Sequence, residues 1–340
     1  MIRRLLVACA ALLPVLALVA AGIAWTWTQT PYGTMDLGAA LVAHTMPGGP
    51  LELTPESRAR ANVWTARFMG DPDPRVAIRG LAFPGPEGEL PVRLYTPPGA
   101  GPFPVVAWIH GGGFWMGDEL ATWDGPCSRI AAQTGALVAS IGYCLAPEHP
   151  FPAAVDDTFA GLRFVAAHAS EWNGDASRLA VMGPSAGGNL AAVMAQRARD
   201  EGGPALAYQV LVVPAVNAGG EPTESTRKFS KGYGLDGIPE MLHAYLPHPE
   251  DAANPWASPI LARELAGLPP ALIVTAAFDP LRDEGEAYGA KLGAAGVTVT
   301  LRRFEGAIHG FLGSDDDQAA SEALAAEKLR EAFGETLAPK

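Results

Sequence analysis

The chain is poor in cysteine and in basic side chains. Three cysteines, Cys9, Cys127 and Cys144, occur in 340 residues, at spacings that match no metal site. An oxidising compartment would allow Cys127 and Cys144 to pair, but both read as small buried apolar side chains. Lysine and arginine number 24 against 36 aspartates and glutamates, a formal net charge of −12, and the basic residues are scattered. A nucleic-acid partner is excluded on that balance. No internal repeat appears. Charged residues make up only 18% of the chain and hydrophobic ones 49%, enough to bury a large core as one big domain or a domain with an inserted lid.

Long apolar runs are also scarce, with one exception at the start. Met1-Ile-Arg-Arg precedes an almost uninterrupted run from Leu5 to about Ala24, closed by Trp25 and Trp27. That charge order and length read as an export signal or signal anchor over residues 1–30, with membrane association through residues 5–24. The tryptophans fall where an interfacial belt would be, and the arginines would keep the N-terminus inside and the rest of the chain outside the cytoplasm. Gly22-Ile23-Ala24 is only a fair cleavage site, which favours a retained anchor.

Beyond the leader, residues 31–70 carry Pro and Gly punctuation and one amphipathic helix, Pro55–Met69. Strand and helix signals then alternate. Strands are expected at Val92–Thr96, Val105–Ile109, Leu137–Tyr143, Leu179–Met182, Tyr208–Val213, Ala271–Ala276 and Val297–Phe304. Helices are expected between them at Thr122–Thr134, Ala153–Ser170, Ala186–Asp200, Arg282–Ala295 and Gln318–Phe333. This is the pattern of an α/β fold, a mostly parallel sheet with helices on both faces. The stretch 217–265 breaks it: no strand, many Gly and Pro, and a single helix at Pro239–Leu246. Its length suits a lid or cap, and its Phe229, Tyr233, Leu235, Met241, Leu242 and Tyr245 argue against disorder.

The chemistry centres on Gly183-Pro184-Ser185-Ala186-Gly187, which fits G-x-S-x-G between a strand and a helix. Glycines two positions either side of the serine relieve the clash as the helix folds back over the strand, leaving the hydroxyl clear of the sheet at a helix N-terminus. His110-Gly-Gly-Gly-Phe-Trp115 follows a strand directly. Three glycines in a row suit a backbone that must approach an oxyanion closely. A nucleotide loop is excluded, because the Walker lysine and the G-x-G-x-x-G spacing are both absent. A serine needs a base and the base an orienting acid. Asp279 and His309 follow two later strands, at the end where parallel sheets build sites, in the order Ser, Asp, His. Asp283, one turn into the next helix, is the rival acid; His110 and His149 read as scaffold.

His110-Gly-Gly-Gly-Phe, Tyr143-Cys-Leu-Ala-Pro-Glu-His-Pro-Phe-Pro-Ala-Ala154, Gly183-Pro-Ser-Ala-Gly-Gly-Asn189, Phe278-Asp-Pro-Leu-Arg-Asp-Glu284 and His309-Gly-Phe311 together resemble the hormone-sensitive-lipase-like branch of the α/β-hydrolases. The resemblance spans roughly residues 75–335. It implies the α/β-hydrolase fold, an eight-stranded sheet with core segments 71–216 and 266–340, capped by residues 31–70 and 217–265. It also implies Ser185 as nucleophile, His309 as base, Asp279 as acid, and the N–H groups of Gly112, Gly113 and Ala186 as the oxyanion hole. Two positions depart from the family pattern. Pro184 stands where Asp or Thr is usual, and Cys144 replaces an arginine able to pair with such an aspartate. Neither belongs to the triad, so they bear on rate rather than on fold.

The expected function is a serine carboxylesterase acting on small-molecule esters with short- to medium-chain acyl groups, with Phe114 and Trp115 lining the substrate pocket. No metal or organic cofactor is implied. Two alternatives stand beside it: a ligand-binding protein on a hydrolase scaffold, and an acyltransferase using the same three residues.

Overall fold

A computed structural model describes residues 17–46, 51–233 and 236–334. Its centre is one eight-stranded sheet: β1 (Ala77–Pro84), β2 (Glu89–Thr96), β3 (Phe103–Ile109), β4 (Leu137–Ile141), β5 (Gly174–Pro184), β6 (Tyr208–Val212), β7 (Ala271–Phe278) and β8 (Val299–Ile308), in spatial order β1-β2-β4-β3-β5-β6-β7-β8. The pairs β1/β2 and β2/β4 are antiparallel and every other pair is parallel. β3, β4 and β6 are buried along their whole length, as a sheet covered on both faces requires.

Alternation along the strands feeds two cores. Val105, Ala107 and Ile109 of β3, with Leu179 and Val181 of β5, face α4 (Ala153–His168) and α5 (Ala186–Asp200). Val106, Trp108, Ala180 and Met182 face the other way, towards α3 (Asp124–Thr134) and α9 (Asp315–Ala332). Those two helices are tied by a bidentate ion pair, Arg129 Nε and Nη2 to Glu322 at 2.6 and 2.7 Å. α8 (Arg282–Ala294) completes the first face through Tyr288 and Leu292.

The remaining elements lie over the C-terminal edge of the sheet: α1 (Leu37–Thr45), α2 (Pro55–Met69), α6 (Glu224–Phe229) and α7 (Ile238–Tyr245). α2 begins where expected because Thr54 caps it, accepting from Ser57 N–H, with Pro55 in the first turn where its missing donor costs nothing. Three elements depart from the sequence expectation. β1 carries one buried side chain, Phe83, in a run broken by Arg79 and Gly80, so an edge strand left no apolar signal. α1 lies among Gly and Pro. Residues 217–265 hold α6 as well as α7, correcting the single helix expected there.

Residues 1–16 of the expected leader lie outside the described residues. Residues 17–28 are helical, with Leu18, Val19, Ile23 and Trp25 exposed. Among the described residues no helix is long and apolar enough to cross a membrane. Cys127 is buried and Cys144 half-buried, and both are free thiols rather than a pair.

Candidate active site

β5 ends at Pro184 and α5 begins at Ala186, leaving Ser185 alone to make the turn at φ 56°, ψ −120°. A non-glycine residue holds such a conformation only where its surroundings over-determine it. Here they do: Ser185 N–H donates to Val212 C=O at 2.8 Å, and its carbonyl accepts from Asn189 and Ala215 N–H at 3.0 and 3.2 Å. The flanking glycines are forced by contact. A Cβ at Gly183 would lie 2.4 Å from the Gly187 carbonyl oxygen, and one at Gly187 would lie 2.0 Å from the Ile109 carbonyl oxygen.

The elbow presents Ser185 Oγ to His309 Nε2 at 2.9 Å, and His309 Nδ1–H donates to Asp279 Oδ2 at 2.8 Å. Asp279 directly follows β7 and is fully buried; His309 directly follows β8 and is 7% exposed. Leu281 N–H donates to Asp279 Oδ1 at 2.8 Å, so the carboxylate is held on both oxygens. Asp283 faces elsewhere, accepting from Ser225 N–H at 2.7 Å at the start of α6.

The glycine loop reaches the same place from β3. Gly112 and Gly113 have φ of 114° and 61°, and a Cβ at Gly111 would meet Ser185 Cβ at 3.5 Å, so the loop runs alongside the elbow. Neither Gly112 nor Gly113 N–H donates to a protein acceptor among the described residues. Ala186, first residue of α5, offers an N–H that the helix cannot satisfy. His110 below the loop is fully buried, stacked on Tyr143 with ring centroids 4.1 Å apart. Burial holds its imidazole down at about 4, so it is neutral scaffold. His149 is well outside, 3.3 Å from Glu87.

These groups open onto a cavity of about 610 Å³. Phe114 and Trp115 both line it, Phe114 while stacked on Tyr245 at 3.7 Å and 3°. Of the apolar cap side chains, Met241 and Leu242 line the cavity. Phe229 and Tyr233 instead pack on Phe278, and Tyr245 lies beneath Phe114. Leu235 lies outside the described residues. Pro184 lines the cavity, and Cys144 N–H donates to Asp157 Oδ2 at 2.9 Å. Burial, with Asp157 beside it, pushes the Cys144 thiol up to about 12, so it stays protonated and unreactive at neutral pH. No cluster of three or more potential metal ligands occurs among the described residues.

Several wall residues gave no sign of that place in the sequence. Trp64, Trp108, Trp123 and Met182 line the cavity, but in sequence they read as ordinary core positions. Glu284 is 6% exposed on the same wall. It sits in a first helical turn, where periodicity does not say which side faces in. Asn189, fully buried, donates through Nδ2 to Ala215 and Ala257 C=O at 2.6 and 2.8 Å, tying the elbow to the chain that leaves β6.

The chain is similar to known proteins of the α/β-hydrolase fold. A family model described as alpha/beta hydrolase fold matches residues 106–313. The chain is 45% identical over 252 residues to the carboxylic ester hydrolase LipN of Mycobacterium tuberculosis, covering 72% of this chain and 66% of that one. It is 42% identical over 246 residues to esterase LipI of the same organism, covering 71% and 76%. The solved structure of EstE1, a thermophilic carboxylesterase cloned from a metagenomic library, superposes with a TM-score of 0.76 at 39% identity, covering 82% of this chain and 97% of that one.

Proposed function

The chain belongs to the α/β-hydrolase family, in its hormone-sensitive-lipase-like branch, and from that premise we propose that it is a serine carboxylesterase hydrolysing short- to medium-chain esters through an acyl-enzyme. The observation that carries the proposal is the unbroken chain of bonds from Ser185 Oγ through His309 to Asp279 at the floor of an apolar cavity. Ser185 Oγ attacks the ester carbonyl as His309 Nε2 takes its proton. The oxyanion is held by the N–H groups of Gly112, Gly113 and Ala186. Collapse expels the alcohol with the proton from His309. Water then attacks the acyl-enzyme, giving its proton to the same nitrogen, and releases the acid and Ser185. Asp279 fixes the imidazole tautomer and stabilises the imidazolium.

Residues 31–70 and 217–265 act as the cap. Trp64 and Met69 from the first and Met241 and Leu242 from the second wall the cavity, whose size suits an acyl group of modest length. The joined triad favours catalysis over a binding role. The N-terminal segment exports or anchors the chain, with the hydrolase outside the cytoplasm; its arginines, its apolar run and the exposed Leu18, Val19 and Ile23 support this.

Hydrolysis of p-nitrophenyl butyrate by the full-length chain and by Ser185→Ala tests the mechanism. The alanine should cost on the order of 10⁶ in kcat. A folded wild type without turnover would sink the esterase reading, and an ester product formed in the presence of a competing alcohol would redirect it to acyl transfer.

A further inference from the structure

Glu284 is a buried carboxyl on the cavity wall with no task in the reaction above. From the first turn of α8, its Oε1 accepts Val216 N–H at 2.7 Å and Asn217 N–H at 3.1 Å, where the chain leaves β6 for the cap. The residue before them, Ala215, donates to the Ser185 carbonyl, so Glu284 stands one short segment from the nucleophile. Its other oxygen, Oε2, has no protein partner among the described residues.

An oxygen that accepts two N–H groups has used both lone pairs. In the neutral acid it is the carbonyl oxygen, and the hydrogen sits on Oε2. Burial, with the Asp279 carboxylate adding to it, pushes the group up to about 8 against the pull of its two backbone bonds. At neutral pH the cavity wall therefore carries a hydroxyl donor on a side chain that is only 6% exposed. Buried donors of this kind find an acceptor, and what this one faces is the cavity.

We propose that Glu284 is a substrate-contacting, specificity-determining residue, its free carboxyl oxygen donating a hydrogen bond to an acceptor oxygen of the bound ester. The role rests on the esterase function proposed above. It selects esters that present an oxygen to this wall and disfavours those presenting only hydrocarbon or a second donor. The charged and titratable groups around it are few. Asp279 reaches it from the end of β7, His309 shares the cavity, and Glu221 and Asp236 of the cap line it too, as does Glu322 of α9, which is held by Arg129. On its own helix, Arg282 and Asp283 are paired with each other and turned to Ala277 C=O and Ser225 N–H, while Glu286 is held by Arg303. No lysine or arginine lines the cavity among the described residues.

The test is binding of ethyl butyrate to full-length Ser185→Ala and to Ser185→Ala/Glu284→Gln at pH 7 and 9.5, read by the fluorescence of the wall tryptophans. Loss of the donor on ionisation should weaken binding to the single variant about tenfold between the two pH values. The double variant should bind equally at both, since a glutamine amide still donates to the cavity and still accepts from Val216 and Asn217. Equal pH dependence of the two proteins would overturn the proposal. So would constant affinity of the single variant alone, a result that stands even if the double variant does not fold. Because neither protein turns over, an inactive wild type would count against the esterase reading without deciding the role of Glu284.

Discussion

A Cβ added to Gly187 on the cavity floor would lie 2.0 Å from the Ile109 carbonyl oxygen and 2.6 Å from that of His110. One added to Gly113, beneath the cap, would lie 2.2 Å from Met241 Sδ. The overlaps are similar but the neighbours differ. On the floor the obstacle is backbone at the end of β3, a strand paired with β4 and β5. At the roof it is the end of an unbranched thioether that swings away at little cost. The same crowding therefore specifies geometry in one place and only occupies space in the other. Gly113 also holds the oxyanion, but what crowds it is a side chain that can move, so the roof is free to accommodate substrate.

The triad acid is the first place to press on that difference. Asp279→Asn keeps the shape of the floor but lets the imidazole take the wrong tautomer, and should lower kcat about 10⁴-fold with a nearly unchanged thermal midpoint. Steady-state rates on p-nitrophenyl butyrate, with circular dichroism as the folding control, decide it. A loss below tenfold would place the orienting acid elsewhere.

Gly187→Ala comes next. The added methyl group must displace Ile109 and His110, and with them the start of the oxyanion loop, so kcat/KM should fall about 10³-fold. Truncating neighbouring side chains should not restore it, because the three nearest atoms are all backbone. Gly113→Ala should cost only about tenfold, part of it the left-handed φ of 61° that a Cβ resists. Met241→Ala in the same chain should recover most of the steric share. If Met241→Ala rescues Gly187→Ala equally well, floor and roof are not distinct.

How much could be read in the sequence follows the same division. The elbow, the glycine loop, Asp279 and His309 were legible because backbone crowding demands glycine at fixed spacing, and because parallel strands deliver their next residues to one edge. β7 and β8 in fact run up to Phe278 and Ile308, so Asp279 and His309 follow them directly. The cap was legible only in outline. An aromatic-rich segment announces that it is packed, not on what: Tyr245 stacks on Phe114, and Phe229 and Tyr233 close on Phe278 rather than on substrate. β1 escaped notice because an edge strand with one buried side chain has almost no apolar pattern to show. Glu284 was in view as part of a motif, but its role depends on Val216 and Asn217, 68 and 67 positions earlier in the chain.

The smallest effect concerns that carboxyl and separates its ionisation from any contact with substrate. Its folded value of about 8 lies above the ordinary 4.5, so folding disfavours the charged form. The stability it contributes is fully present below about 4.5 and is lost as pH rises through about 8. Glutamine keeps the acceptor for Val216 and Asn217 N–H and cannot ionise. Glu284→Gln should therefore match or slightly trail the wild type in thermal midpoint at pH 5 and exceed it by several degrees, on the order of 2–4 °C per kcal/mol, at pH 9. Parallel midpoint curves across that range would mean that Glu284 ionises in the fold as easily as in the unfolded chain. The wall of the cavity would then carry an anion at neutral pH, as rigid as the floor in position but opposite in what it asks of a substrate.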